Sequence, residues 1–113
     1  MQRTIAFSEE HQQLLKRIKS TILALEPGAE VYLYGSRARG DAEEDSDWDV
    51  LVLLDGEITY ERQRQIRNAL YDIEITTLML ISTIIRPRTI WHTDRLIQAT
   101  PFYKNVRADA LTL

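Results

Sequence analysis

Apolar residues at Leu14, Leu15, Ile18, Ile22 and Leu25 recur with the 3.6-residue period of a helix. Ser8 stands where an N-cap belongs, Glu9 and Glu10 suit the positive end of the helix dipole, and Pro27-Gly28 stops it. Residues 31–34 (VYLY) change the pattern to a short, largely buried strand that runs straight into Gly35-Ser36 and a helix-compatible Arg37-Ala38-Arg39. From Gly40 to Ser46 no large apolar side chain occurs, which marks an exposed loop. Residues 47–54 (DWDVLVLL) have the length and content of a second strand, closed by the turn signal Asp55-Gly56.

Thr59 opens a second long helix, with Ile66, Ala69, Leu70 and Ile73 on one face and Glu61, Arg62, Arg64 and Arg67 mostly elsewhere; its end falls near Thr76. Residues 78–85 form a third strand candidate closed by Pro87. Thr89 then caps a short helix carrying Trp91 and Leu96, and residues 99–113 make one more short helix. No repeat, low-complexity tract or linker interrupts this order, so residues 1–113 are expected to form a single α/β unit.

Composition narrows the function classes. A chain of 113 residues fits one small domain with little room for a separate substrate module. No apolar run approaches the roughly 20 residues that span a bilayer, so a membrane role is not expected. The first thirteen residues reach acidic and polar positions before a signal-length apolar stretch can form, which predicts a cytoplasmic protein. The absence of cysteine removes disulfides, thiolate zinc sites and cysteine nucleophiles together. A formal net charge of -3 argues against a broad nucleic-acid surface.

The chemistry concentrates in GSRARGDAEEDSDWDVLV, residues 35–52. Gly35 lets the backbone approach a ligand without a Cβ in the way, and Ser36 adds a hydroxyl at a helix start, an arrangement suited to phosphate oxygens. Asp47 and Asp49 are two apart on a strand, so both carboxylates project to one face and can meet one hard cation. Mg²⁺ commonly takes one or two protein carboxylates and fills its shell with water and substrate phosphate. Taken alone, Gly-Ser is more often a plain turn and Asp-x-Asp a solvated strand end. Joined in register, they point to a metal-bound nucleoside triphosphate.

This segment resembles the Gly-Ser-x-Ala-x-Gly and Ser-Asp-x-Asp signature of the DNA polymerase beta superfamily, and most closely its small stand-alone minimal nucleotidyltransferases, whose chains end in a segment similar to TPFYKNVRADALTL. The resemblance implies a small mixed, mainly antiparallel sheet, with the N-terminal and middle helices on one face and the nucleotide approaching the other edge. It implies phosphate contacts from Gly35 and Ser36, Mg²⁺ (with Mn²⁺ as an alternative) on Asp47 and Asp49, and a nucleoside triphosphate, ATP expected, whose nucleoside monophosphate moves to a hydroxyl. It also implies a partner: similar domains are often encoded with a small helical protein of the HEPN class and serve as its antitoxin, sometimes by adding AMP to it.

One departure stands out. Active members of the superfamily usually supply a third carboxylate from the next strand, yet residues 78–85 contain no acid and Ser82 stands about where it belongs. A neutral hydroxyl binds Mg²⁺ less strongly and accepts a proton poorly at pH 7. Glu74 is the preferred substitute, with Asp72 beside it, and the competing reading makes both solvated charges at a helix end. The rival function is accordingly a degenerate nucleotidyltransferase fold that binds nucleotide or a toxin without turnover. Arg37 and Arg39 are read equally as triphosphate contacts or as part of a surface charge network. Trp48 alternates to the face opposite the aspartates and is expected in the core, His11 and His92 are expected as packing or surface residues, and Phe102 and Tyr103 with Trp91 as local packing of the C-terminal segment.

Overall fold

The computed structural model describes residues 7–113. The first six residues, on which part of the export reading rests, lie outside the described residues. In chain order the elements are α1 (Glu9–Leu25), β1 (Glu30–Tyr34), α2 (Ser36–Arg39), β2 (Trp48–Leu54), α3 (Tyr60–Thr77), β3 (Ile81–Pro87), α4 (Arg88–Thr93), α5 (Arg95–Gln98), α6 (Pro101–Asp109) and β4 (Leu111–Thr112). The four strands form one mixed, mainly antiparallel sheet in the order β3-β2-β1-β4. β1 runs antiparallel to both β2 and β4, while β3 lies parallel to β2.

Local chemistry sets the helix ends. The Ser8 hydroxyl accepts from the His11 N–H, and the Thr59 hydroxyl from the Arg62 N–H, so both long helices start at side chains able to satisfy an orphan amide. Arg62 then ties the two helices together. Its Nε and Nη2 reach both oxygens of Glu26 at 3.0 and 2.7 Å, and its Nη1 donates to the carbonyls of Asp55 and Glu57. This bidentate pair holds the Glu26 carboxyl below the usual carboxylate range, the hydrogen bond from Arg62 being the main cause.

β2 is the centre of the molecule. Val50, Leu51, Val52, Leu53 and Leu54 are all buried, a continuous apolar run that requires cover on both faces. Leu14, Ile18 and Ile22 of α1 and Ile66, Leu70 and Ile73 of α3 cover one face, against Trp48, Val50, Val52 and Leu33. The other face carries a second, smaller core of Leu51, Leu53, Trp91 of α4 and Val106 of α6, packed by Tyr34 of β1 and by Phe102 and Tyr103 of α6. Phe102 meets Tyr34 and Trp91 edge-on at 5.6 and 5.8 Å between ring centres, so these aromatics are local packing.

Three sequence expectations change. The third strand begins at Ile81, because Leu78 takes a left-handed conformation (φ 58°, ψ 25°) as the C-cap of α3 and donates to the Glu74 carbonyl. Thr89 lies inside α4 and does not cap it, and Leu96 belongs to a separate helix, α5, whose cap is Asp94 through hydrogen bonds to the Leu96 and Ile97 amides. The chain end is not all helix: Leu111 and Thr112 add a fourth strand beside Leu33 and Tyr32. No helix among the described residues is long and apolar enough to cross a membrane.

Candidate functional site

β1 delivers the chain to Gly35, which adopts φ 75° and ψ -158°, a region open to glycine and strained for other residues. Its carbonyl accepts from the amides of Ala38 and Arg39, starting the single turn of α2 immediately after it. The Ser36 and Arg37 amides ahead of them have no carbonyl partner within the turn. Gly40, left-handed at φ 86°, ends the turn and releases the acidic loop.

That loop is held by Arg37. Its guanidinium donates to the carbonyls of Glu44 and Ser46 at 3.0 and 2.9 Å and lies 4.5 Å over the Trp48 ring. Trp48 is fully buried on the α1 and α3 face, where His11 meets its ring edge-on at 4.8 Å. Arg37 is thus committed to fastening the loop that presents Asp47.

The two aspartates leave this loop on the opposite face. Asp47 is exposed and just precedes β2, while Asp49 is half-buried within it. Asp49 pairs across the sheet with Tyr34 of β1, which draws it beside the Gly35 turn. The approach is so close that a Cβ on Gly35 would fall inside contact distance of the Asp49 Oδ2 and Cγ. Burial raises the pKa of Asp49 above its ordinary value and the neighbouring Asp47 charge adds to the rise, with Arg39 opposing. The Tyr34 hydroxyl is pushed up to about 12, by burial first and then by Asp49. The arrangement is therefore deficient in positive charge: two acids, one of them partly desolvated, face the same small space.

Arg39 is not a spare cation either. Its Nε lies 3.2 Å from Asp41 and its Nη1 2.8 Å from Asp109, which ties α6 to the loop. Arg39 also lies close enough to oppose the rise in the Asp49 pKa.

On the other side, β3 sets Ser82 in register with Asp49. In-register neighbours on parallel strands share a face, roughly 4.8 Å apart, so Ser82 stands beside Asp49 on the same face of the sheet. Glu74 is not brought to that position. It sits on α3, against the opposite face, where its Oε2 accepts from the Ile81 amide at 2.8 Å and lines a shallow groove with Arg67, Tyr71 and Thr83. Glu74 satisfies the backbone where β3 begins. Among the described residues no group of three or more histidine, cysteine, aspartate or glutamate side chains is assembled to hold a metal. Donors beyond the Asp47 and Asp49 oxygens would have to come from phosphate and water, which is the ordinary habit of Mg²⁺, so the residues present fit that ion.

The position of Glu74 carries a prediction. Glu74→Ala is expected to cost about 1 kcal/mol of stability, a fall in Tm of roughly 5 °C, while nucleotide affinity stays unchanged. Thermal unfolding with and without Mg²⁺ and nucleotide measures both; weakened nucleotide binding at unchanged Tm would return Glu74 to the site.

Sequence reasoning missed Tyr34 as a neighbour of Asp49 and the Arg39 to Asp109 tie, since cross-strand register and a contact spanning seventy positions leave no periodic signal.

Comparison with known proteins agrees with this fold. The family model described as a nucleotidyltransferase domain matches residues 15–99. Among solved structures, a toxin-antitoxin crystal structure with AMP-PNP aligns at TM-score 0.54 and 14% identity, covering 93% of this chain and 72% of that one. A candidate nucleotidyltransferase from Sulfolobus solfataricus aligns at TM-score 0.53 and 17% identity, covering 97% and 90%. No curated protein sequence matches.

Proposed function

The chain belongs to the nucleotidyltransferase domain family, and from that premise we propose that it binds a nucleoside triphosphate, ATP expected, and transfers the nucleoside monophosphate to a hydroxyl acceptor. The single observation that carries this reading is the convergence of the Gly35 turn with the Asp49 carboxylate, a cradle that any Cβ would close. Gly35 and Ser36 hold the phosphate oxygens through backbone amides and the Ser36 hydroxyl. Asp47 and Asp49 supply the oxygens for Mg²⁺, with Mn²⁺ able to replace it. When bound, that ion neutralises the phosphates and steadies the leaving pyrophosphate.

The acceptor oxygen forms a bond to the α-phosphorus while the bond from that phosphorus to the bridging oxygen breaks. Pyrophosphate leaves with the electron pair, and the hydroxyl proton passes to solvent, since Ser82 offers no base. Catalysis by this chain then rests on positioning and charge rather than on proton abstraction. Arg37 and Arg39 contribute by fixing the loop and α6 around the site.

The position of Ser82 supports a second reading, a protein that keeps nucleotide affinity and acts by binding a partner. The partner proposed in either case is a small helical protein of the HEPN class, this chain acting as its antitoxin in the cytoplasm as a single domain of residues 1–113. Support comes from the sequence resemblance and from the toxin-antitoxin structure that shares the fold.

One assay separates the readings. Purified protein is incubated with Mg²⁺ or Mn²⁺, labelled nucleoside triphosphates and the product of the neighbouring gene, beside an Asp47→Ala, Asp49→Ala double variant. Label transfer that the variant loses supports the enzyme. No transfer by the wild type, together with partner neutralisation by the variant, leaves the binding module.

A further inference from the structure

Beyond Ser82, the sheet face that carries Asp49 continues along β3 into an apolar groove of about 420 Å³, lined chiefly by Ile84, Arg86, Ile90, Trp91, Ile97 and Phe102. Its size falls in the range of small-molecule sites and its walls are almost wholly carbon. The exception in β3 is Arg86, whose side chain is exposed and whose Nη1 donates only to the Ile85 carbonyl; among the described residues no carboxylate pairs with it. Phe102 forms the wall nearest the site, in contact with Tyr34, which is itself the cross-strand partner of Asp49.

We propose that this groove receives the acceptor: a compound that carries its hydroxyl on an apolar, aromatic-sized body with an anionic group at the far end. The inference rests on the nucleotidyl-transfer reading and deepens it. In-line displacement puts the attacking and leaving oxygens on opposite sides of the phosphorus. The leaving pyrophosphate lies at Gly35 and Ser36, at the end of β1, with Asp49 on the central strand β2. The attack therefore comes from the β3 flank, where Ser82 is level with Asp49.

Distances along the strand agree. Ile84 follows Ser82 by two residues, roughly 6.6 Å, and Arg86 by four, roughly 13 Å less whatever length its side chain returns. A hydroxyl poised beside Asp49 leaves its body over Ile84, against the packed edge of the Trp91 and Phe102 rings, and its far end near the Arg86 guanidinium. An apolar slot discriminates against polyhydroxylated acceptors, because their remaining hydroxyls would lose water without gaining partners. The unpaired cation in turn selects a negative end. This chemistry is the same for a free phenolic or alicyclic acid and for a tyrosine side chain beside an acidic residue on a partner.

The test titrates the 113-residue chain with 3-(4-hydroxyphenyl)propionate and, in a parallel arm, with the capped dipeptide Tyr-Glu, with and without Mg²⁺ and AMP-PNP. Binding is read from Trp91 fluorescence and its indole NMR signal. The expected result is saturable binding of at least one probe in the presence of AMP-PNP, weakened about tenfold or more by Arg86→Glu and by Ile90→Asp, retained by Arg86→Lys, with AMP-PNP affinity changed less than about twofold. Tighter binding of the free acid marks a free acceptor, and tighter binding of the dipeptide a partner's side chain; both support the groove. Displacement of the probe by AMP-PNP would assign the groove to the nucleobase and overturn the proposal, as would unchanged probe affinity in Arg86→Glu. Because binding is read without turnover, absent transfer with intact probe binding counts against the enzyme reading alone. Transfer to other acceptors without probe binding counts against the groove alone.

Discussion

Asp49→Asn is expected to abolish nucleotide transfer, by at least about 100-fold, while making the protein more resistant to heat at neutral pH. Both effects have one cause. Burial and the Asp47 charge raise the folded-state pKa of Asp49 above its ordinary value of 3.8. Such a carboxyl favours folding in its protonated form. Its stabilising contribution is complete below the unfolded pKa and is lost as pH climbs through the raised folded pKa, so at neutrality the ionised group opposes folding. Asparagine keeps the shape without the charge. The stability gap between variant and wild type should therefore open as pH rises past 3.8 and level off above the folded pKa.

Ligand reverses the order. With Mg²⁺ and a nucleotide analogue at about 100 times the dissociation constant, linkage adds about 2.7 kcal/mol to the wild type, on the order of 10 °C in Tm, and little to the variant. Unfolding curves at several pH values, with and without ligand, make the comparison. A variant less stable than wild type at pH 7, or one shifted equally by ligand, would remove Asp49 from the role assigned to it.

Gly35→Ala should be the most damaging single methyl in the chain. Two costs coincide there: a backbone conformation of φ 75° and ψ -158°, worth about 1–3 kcal/mol for a residue with a Cβ, and a steric collision with the Asp49 carboxylate. The sum is expected to lower Tm by roughly 10 °C or more and to remove nucleotide binding, since relief requires the turn and Asp49 to part. Two other glycines serve as controls. Gly56 shares the φ of 75° but meets only the Arg62 guanidinium at 3.8 Å, so Gly56→Ala should show the strain without the collision. Gly28 has nothing within 4 Å and should tolerate alanine. Combining Gly35→Ala with Asp49→Ala should recover part of the lost stability, a coupling that a double-mutant cycle reads directly. Strict additivity would show that the two residues do not meet.

The resemblance read in residues 35–52 survives because its parts are local. A strand, a glycine-started turn and a pair of acids two apart on the next strand are specified by φ/ψ preference and by alternation, which neighbouring residues determine among themselves. The same holds for the Ser8 and Thr59 caps and for Trp48, which alternation alone sends to the core. Arg37 and Glu74 differ. Each is a long, flexible side chain beside the motif in sequence, and its destination depends on which polar groups the folded chain brings within reach. Arg37 finds the carbonyls of the loop and Glu74 the Ile81 amide, neither of which any spacing announces.

The sequence alone therefore placed Gly35 and Ser36 in a turn after one strand, Asp47 and Asp49 two apart at the start of the next, and no acid on the third, because each depends on residue type and short-range periodicity. Only the tertiary structure decided that Ser82 stands level with Asp49, that Glu74 lies on the far face, that Leu111 and Thr112 close the sheet, and that a groove ending at Arg86 opens beyond the site. Those four are products of strand register and of packing between distant segments. Register shifts by one residue exchange every face of a strand, and nothing within the strand itself states which partner will fix it.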